Sequence, residues 1–410
     1  MAFLSLLDDR ARPKGSRDPL GFELIWSYFG RKVIGNLTTI TSSMDNFAVA
    51  VLGFYWANKL VQKDIEESVR QKKVREIFLR YEQLTGYIRY YSDASDIMGI
   101  TRIKSRLLDD NLNITLGLSS DQQILSDQAS YGLWGLYSTA ARDTGLVTGN
   151  DRKVTPLGIS IAESIINNMG DVSDKLLSLL SSNRQLDRIE LNEYGNKFKK
   201  AIHHKNVQSP LLEVLMSGNK LDGVQCELWN KTKEIFGGEK DKPETVSKFI
   251  NIVLNSNVSE DLREYIYDII NIEKVLVASN NIFHYCRRKD GASVEGIISL
   301  IKDKYDYSHL PKELPSSVFP RREQMSNILK ALNKNDNSTL ILLLLDLNKE
   351  VMQKRNGAPW LEIESGNTVR VKVKSETSEL RSQKDIEEKW DYDYFLGSFL
   401  SIAKQQLGNI

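Results

Sequence analysis

Between Leu133 and Ile166 the hydrophobic spacing changes period twice, and few topologies accommodate that change. Leu133, Leu136, Tyr137 and Ala140 share one face of a helix over Leu133–Asp143, which Gly145 ends as glycine does at a helix C-terminus. Leu146-Val147 then starts a short strand, Thr148-Gly149-Asn150-Asp151 is turn chemistry, and Arg152-Lys153-Val154 returns. Thr155 caps a second helix with Pro156 at its first position. That helix is expected to bury Leu157, Ile161 and Ile165, with Ile166 beside them. Upstream, residues 122–130 read as a further helix.

Elsewhere helical periodicity dominates. Leu24, Ile25, Tyr28 and Phe29 share one face, and a second apolar helix covers Met44–Leu60. The stretch between them, 35–43, is rich in helix-capping residues. A long pattern over 58–92 places Val61, Ile65, Val74, Ile77, Phe78, Tyr81, Leu84 and Ile88 on one side. Residues 171–310 read as helix after helix. Three of the nine prolines, at 311, 315 and 320, make 311–322 the best linker candidate. Beyond it, helices are expected near 321–333 and 338–355. Leu361 and Ile363 then alternate with Glu362 and Glu364, and Val369, Val371 and Val373 with Arg370 and Lys372. With Ser365-Gly366-Asn367 as the turn, this reads as a hairpin with acids facing bases. Residues 8–19 look like an extended arm, 375–388 look loose, and a last helix is expected over 390–407. The fold class is therefore mainly α. The expected segments are 1–120 helical, 121–170 carrying the strand pair, 171–310 helical, 311–322 linking, and 323–410 helices with the hairpin.

Helix, Gly-Leu-Val, charged hairpin, then a Val-Thr-Pro-Leu-Gly helix: over about 121–167 this resembles a winged helix-turn-helix. In that family the helix before the wing reads the groove and basic wing residues touch phosphate. The resemblance therefore implies that Ser138, Thr139 and Arg142 face the groove and that Arg152 and Lys153 sit on the wing. Between 129 and 163, however, three basic residues meet three acidic ones, whereas phosphate contacts call for a positive excess. Winged helices also serve as protein-docking modules. A wider pattern is similar to uncharacterised bacterial proteins of phage-defence gene clusters. It comprises Asp18-Pro19-Leu20-Gly21-Phe22, Gly30-Arg31-Lys32-Val33-Ile34, Asn36-Leu37-Thr38-Thr39, Gly132-Leu133-Trp134-Gly135-Leu136-Tyr137 and Ala358-Pro359-Trp360. That resemblance implies a component of a multi-protein system and carries no catalytic residue across.

Charge and composition narrow the partners. Fifty-five Lys and Arg against 54 Asp and Glu leave a net charge of +1, so any nucleic-acid contact must come from a local patch. The densest lies on the 58–92 helix, where Arg70, Lys73 and Arg80 stand among Lys72 and Arg75; from 59 to 106 there are eleven basic and seven acidic residues. A solvated face laced with ion pairs is the competing reading. The two cysteines, Cys226 and Cys286, exclude a disulfide framework. No apolar run approaches the roughly 20 residues that span a bilayer, and the start lacks a signal-peptide pattern. A cytoplasmic protein with no membrane contact is the expectation.

No complete catalytic motif is present, and no cofactor or metal site is expected. His203-His204-Lys205 lacks the aspartate a phospholipase-D-type nuclease needs, since position 210 is proline. Four histidines and two cysteines form no paired knuckle, so a zinc site from His203, His204, Cys226 and Cys286 requires the fold to gather them. Phosphate-binding glycine loops and a serine-hydrolase elbow are both missing. The expected function is a non-catalytic subunit of a bacterial multi-protein system, such as anti-phage defence, that contacts partner proteins or double-stranded DNA. The alternatives are a nuclease or toxin-like effector enzyme with a site dispersed in sequence, and a winged-helix transcription regulator.

Overall fold

Helix α1 spans Glu23–Val33 and helix α2 spans Met44–Leu60, the latter capped by Ser43, whose hydroxyl accepts the Asn46 N–H. Every residue of α2 from 46 to 54 is buried, so this helix is apolar all round and must be interior. The computed structural model describes residues 18–62, 65–182, 185–218, 223–238, 242–375 and 379–408, so most of the expected N-terminal arm, 8–17, lies outside the described residues. The fold is mainly α with two small antiparallel hairpins. It divides into two compact units, residues 1–33 with 243–394, and 34–242 with 395–410.

The second unit is built round α2. Helix α3 (Glu67–Tyr90) packs closest, because Gly53 leaves room: a Cβ there would lie 2.4 Å from the Tyr81 ring and 2.8 Å from Phe78. The Tyr81 hydroxyl donates to the Val49 carbonyl at 2.8 Å, so a polar atom lies inside this contact without being left unpaired. Helix α4 (Ile100–Leu108), the single turn α5 (Gln128–Tyr131) and α6 (Leu133–Asp143) follow. The strands β1 (Val147–Thr148) and β2 (Lys153–Val154) pair antiparallel, Val147 opposite Val154 and Thr148 opposite Lys153. Then come α7 (Pro156–Met169), α8 (Asp171–Ser181), α9 (Arg188–Ile202), α10 (Lys205–Ser217) and α11 (Val224–Gly237). Helices α3, α6, α7 and α10 and strand β2 all pack on α2.

The first unit is organised by a longer helix. After α12 (Val246–Leu254), α13 runs Glu260–Cys286 and is buried almost without interruption from Ile272 onward. Helices α14 (Val294–Ile301), α15 (Arg322–Asn333) and α16 (Asn337–Lys354) follow. The hairpin β3 (Leu361–Glu364) and β4 (Thr368–Val371) pairs Glu362 with Arg370 and Ile363 with Val369, as the alternation predicts. Its outer edge is partly closed: Val369 donates to Ala292 O and accepts from Gly291, both at 2.8 Å. Arg287 holds the departing chain through Val373 O at 3.0 Å and Lys374 O at 2.8 Å. Helix α17 (Gln383–Glu388) belongs here; α18 (Leu396–Leu407) returns to the second unit. No helix among the described residues is long and apolar enough to cross a membrane.

Several sequence expectations need correcting. Of 122–130 only 128–130 is helical, within the single turn Gln128–Tyr131. Leu157 is 37% exposed, because the inward position of that turn belongs to Gly158, where a Cβ would meet the Leu146 carbonyl oxygen at 2.4 Å. The polar stretch 375–388 contains α17 rather than only loose chain. The last helix starts at Leu396, not at 390, since Tyr394 and Phe395 adopt φ of 53° and 63°. The proline cluster 311–322 lies inside the first unit.

Candidate nucleic-acid interface

Helix α6 is positioned by a buried carboxylate. Glu82, on α3, accepts the Leu133 N–H at 2.6 Å and the Gln128 side-chain amide at 2.9 Å. A carboxylate at a helix N-terminus satisfies an open donor and complements the dipole. Burial nevertheless pushes the Glu82 carboxyl up to about 7, against the pull of those two bonds and of the Arg89 charge. Gly132 makes the contact possible, for a Cβ there would sit 2.5 Å from the Gln128 carbonyl and 2.6 Å from both Glu82 oxygens.

From that anchor α6 turns Leu133, Trp134, Tyr137, Ser138, Ala140 and Ala141 inward. Trp134 sits 5.4 Å from Phe78 and 5.8 Å from Phe54, ring to ring, and Tyr137 5.0 Å from Phe47. Aromatic groups at these distances contribute roughly 0.5–1.5 kcal/mol per pair beyond their burial. The exposed side of α6 carries Gly135 and Thr139, with Arg142 half-buried. Ser138 is not on that side: it is buried one turn beyond Trp134, and its hydroxyl donates to the Trp134 carbonyl. Of the three expected groove residues, then, Thr139 and Arg142 reach the surface.

The β1–β2 hairpin is clamped at both ends of its turn. Gly149 and Arg152 take φ of 70° and 54°. Arg152 folds back on α6, its guanidinium carbon 4.7 Å from the Trp134 ring centre and its Nε donating to the Ser138 hydroxyl at 3.2 Å. Burial lowers its pKa, and so does the Arg142 charge nearby. On the other side Arg70 of α3 pairs with the buried Asp151 at 3.4 Å and donates to Asn58 Oδ1 at 2.6 Å. The Asn58 amide donates to the Arg152 carbonyl at 3.1 Å. The α3 cluster and the β1–β2 hairpin, read separately in the sequence, thus meet at Arg70 and Asp151. Lys73 follows Arg70 by three residues, on the same face of α3, and is exposed, as is Lys153. Arg80 lies about 15 Å further along α3 at 1.5 Å per residue; it donates to the Ser182 carbonyl at 2.7 Å and does not join this group.

The other chemistry considered from sequence is not assembled. Among the described residues no group of three or more His, Cys, Asp or Glu could hold a metal ion. Cys226 and Cys286 are free thiols; both are buried, and burial pushes Cys286 up to about 12, away from thiolate chemistry. Compared with protein-family models, with curated proteins and with solved structures, the chain matches none.

Proposed function

We propose that the wing and the adjoining end of α3 form a contact surface for the nucleic-acid backbone, in a non-catalytic subunit of a bacterial multi-protein assembly. The observation that carries this reading is the Arg70–Asp151 ion pair, which joins two basic segments far apart in sequence. Arg70 and Arg152 are occupied in holding the wing, so phosphate contact falls to the cations left outward, Lys73, Arg142 and Lys153. Such contacts carry affinity without sequence preference. The assembly half of the proposal rests on the resemblance to phage-defence components.

The test is titration of a labelled DNA duplex at about 50 and 200 mM salt. Replacing Lys73, Arg142 and Lys153 together by alanine should weaken binding, and should reduce the slope of log K against log salt by about 0.9 per lost contact, or about 2.7 in all. Equal affinity and slope in the variant would overturn the nucleic-acid reading.

A further inference from the structure

The second unit also contains a polar cavity of about 450 Å³, enclosed by the start of α2, the chain after α3, the end of α9 and one face of α18. It is far larger than the ~30 Å³ a water molecule occupies and falls within the range of small-molecule sites. Its walls bring in three cationic or basic side chains, Arg89, Lys199 and His203, and three carboxylates, Asp45, Asp93 and Asp96.

Most of these side chains already have partners in the wall. Arg89 is buried and donates to Asp96 at 2.6 Å and to Asn46 at 2.8 Å. The second Asp96 oxygen accepts the Ser43 hydroxyl. Both Asp45 oxygens lie on His203 Nε2, at 2.8 and 2.9 Å. Lys199 lies in the last turn of α9, four residues before His203, which caps the helix, and its ammonium makes one bond, to the Ser92 carbonyl at 2.9 Å. Among the described residues no carboxylate lies within ion-pair distance of it. An ammonium has three donors, so two are left for whatever occupies the cavity. Asp93, the one lining carboxylate with no hydrogen-bond partner among the described residues, is exposed and has a φ of 58°.

We infer that this cavity is a binding site, separate from the wing surface, for a small solute bearing an oxyanion, a phosphate monoester or a carboxylate, held by Lys199. Lys199 is half-buried in the cavity wall and spends one donor on the Ser92 carbonyl, so its ammonium offers two charge-assisted hydrogen bonds to an oxyanion. The wing reading does not enter this argument, and the two stand or fall separately.

Calorimetric titration of the full chain with adenosine monophosphate and with glutamate tests the proposal and distinguishes the two sources of oxyanion. Saturable binding of one of them is expected below about 10 mM. Lys199→Gln should raise its Kd by about tenfold or more, and Lys199→Arg should retain it. Asp93→Asn should leave binding unchanged or tighten it, and the Lys73, Arg142 and Lys153 triple variant should bind as the parent does. Absence of saturable binding of both probes, or Lys199→Gln binding like the parent, would overturn the proposal. So would weaker binding in Asp93→Asn, which would show a ligand held by its cation instead. Should Lys199→Gln fail to fold, loss of binding in Lys199→Arg would count against the charge-based site, and its retention would support it.

Discussion

The Arg152 guanidinium lies 4.7 Å from the centre of the Trp134 ring, so the turn of the β1–β2 hairpin is fastened to α6, the helix that precedes it. A residue that the winged-helix resemblance assigns to phosphate is here a packing element.

Arg152→Ala should therefore destabilise the second unit by about 1–2 kcal/mol, from the lost ring contact and the Ser138 bond. Lys153→Ala, at an exposed neighbour, should stay within about 0.5 kcal/mol of the parent. Urea unfolding of both variants decides the point; equal losses would show that Arg152 holds nothing.

Gly132→Ala should be among the most damaging single-methyl additions in the chain. The new Cβ would overlap the Gln128 carbonyl and the Glu82 carboxylate together, one of them backbone. A loss of about 2 kcal/mol or more is expected, read as a fall in thermal midpoint. A midpoint equal to that of the parent would mean that α6 can draw away from Glu82 without cost.

Acidity should stabilise the α6 junction. The Glu82 carboxyl titrates near 7 when folded, above the ordinary 4.5, so the folded chain binds this proton more tightly than the unfolded chain. Its contribution is greatest below the unfolded value and is lost as pH rises toward 7. Relative to Glu82→Gln, the parent should lose up to about 3 kcal/mol across that window. Urea midpoints of both proteins from about pH 5 to about pH 8 give the difference curve, and a flat curve would refute the assignment.

In the first unit, Tyr394→Phe removes the hydroxyl that donates to Glu273 at 2.8 Å. Glu273 is buried in α13, and burial pushes it up to about 8 despite this bond and those from the backbone of Asp391 and Tyr392. The substitution should cost about 1–3 kcal/mol, since a buried acceptor loses a partner. Chemical unfolding checks it, and a neutral result would mean that Glu273 is already satisfied by the two backbone donors.

Much of the architecture was legible because local signals agreed with packing. The largely apolar helix over Met44–Leu60, the Leu133–Asp143 helix and the Thr155 cap with Pro156 inside it appear as read. Where side chains compete for backbone groups, periodicity misled. Gln128 Oε1 accepts the Ile124 N–H and Gln123 Oε1 accepts the Gln128 N–H, so side chains take backbone donors there and 122–127 stays irregular. The start of α18 was hidden for a related reason: Tyr394 is pulled to Glu273, 121 positions away, through a left-handed backbone that no propensity suggests. Candidate surface cations were legible as a list, but not their division of labour. Arg70 and Arg152 look like Lys73 and Lys153 until Asp151, Asn58 and Trp134 are placed beside them. The pairing of Asp45 with His203 joins residues 158 positions apart, and neither carries a local signature.

Because the second unit takes its final helix from residues 395–410, it cannot finish assembling until that stretch has left the ribosome. Until then the Trp229 indole lacks the Phe399 ring that meets it edge-on at 6.3 Å. An excised piece covering only 34–242 would carry the same bare patch throughout its life, and would tend to self-associate.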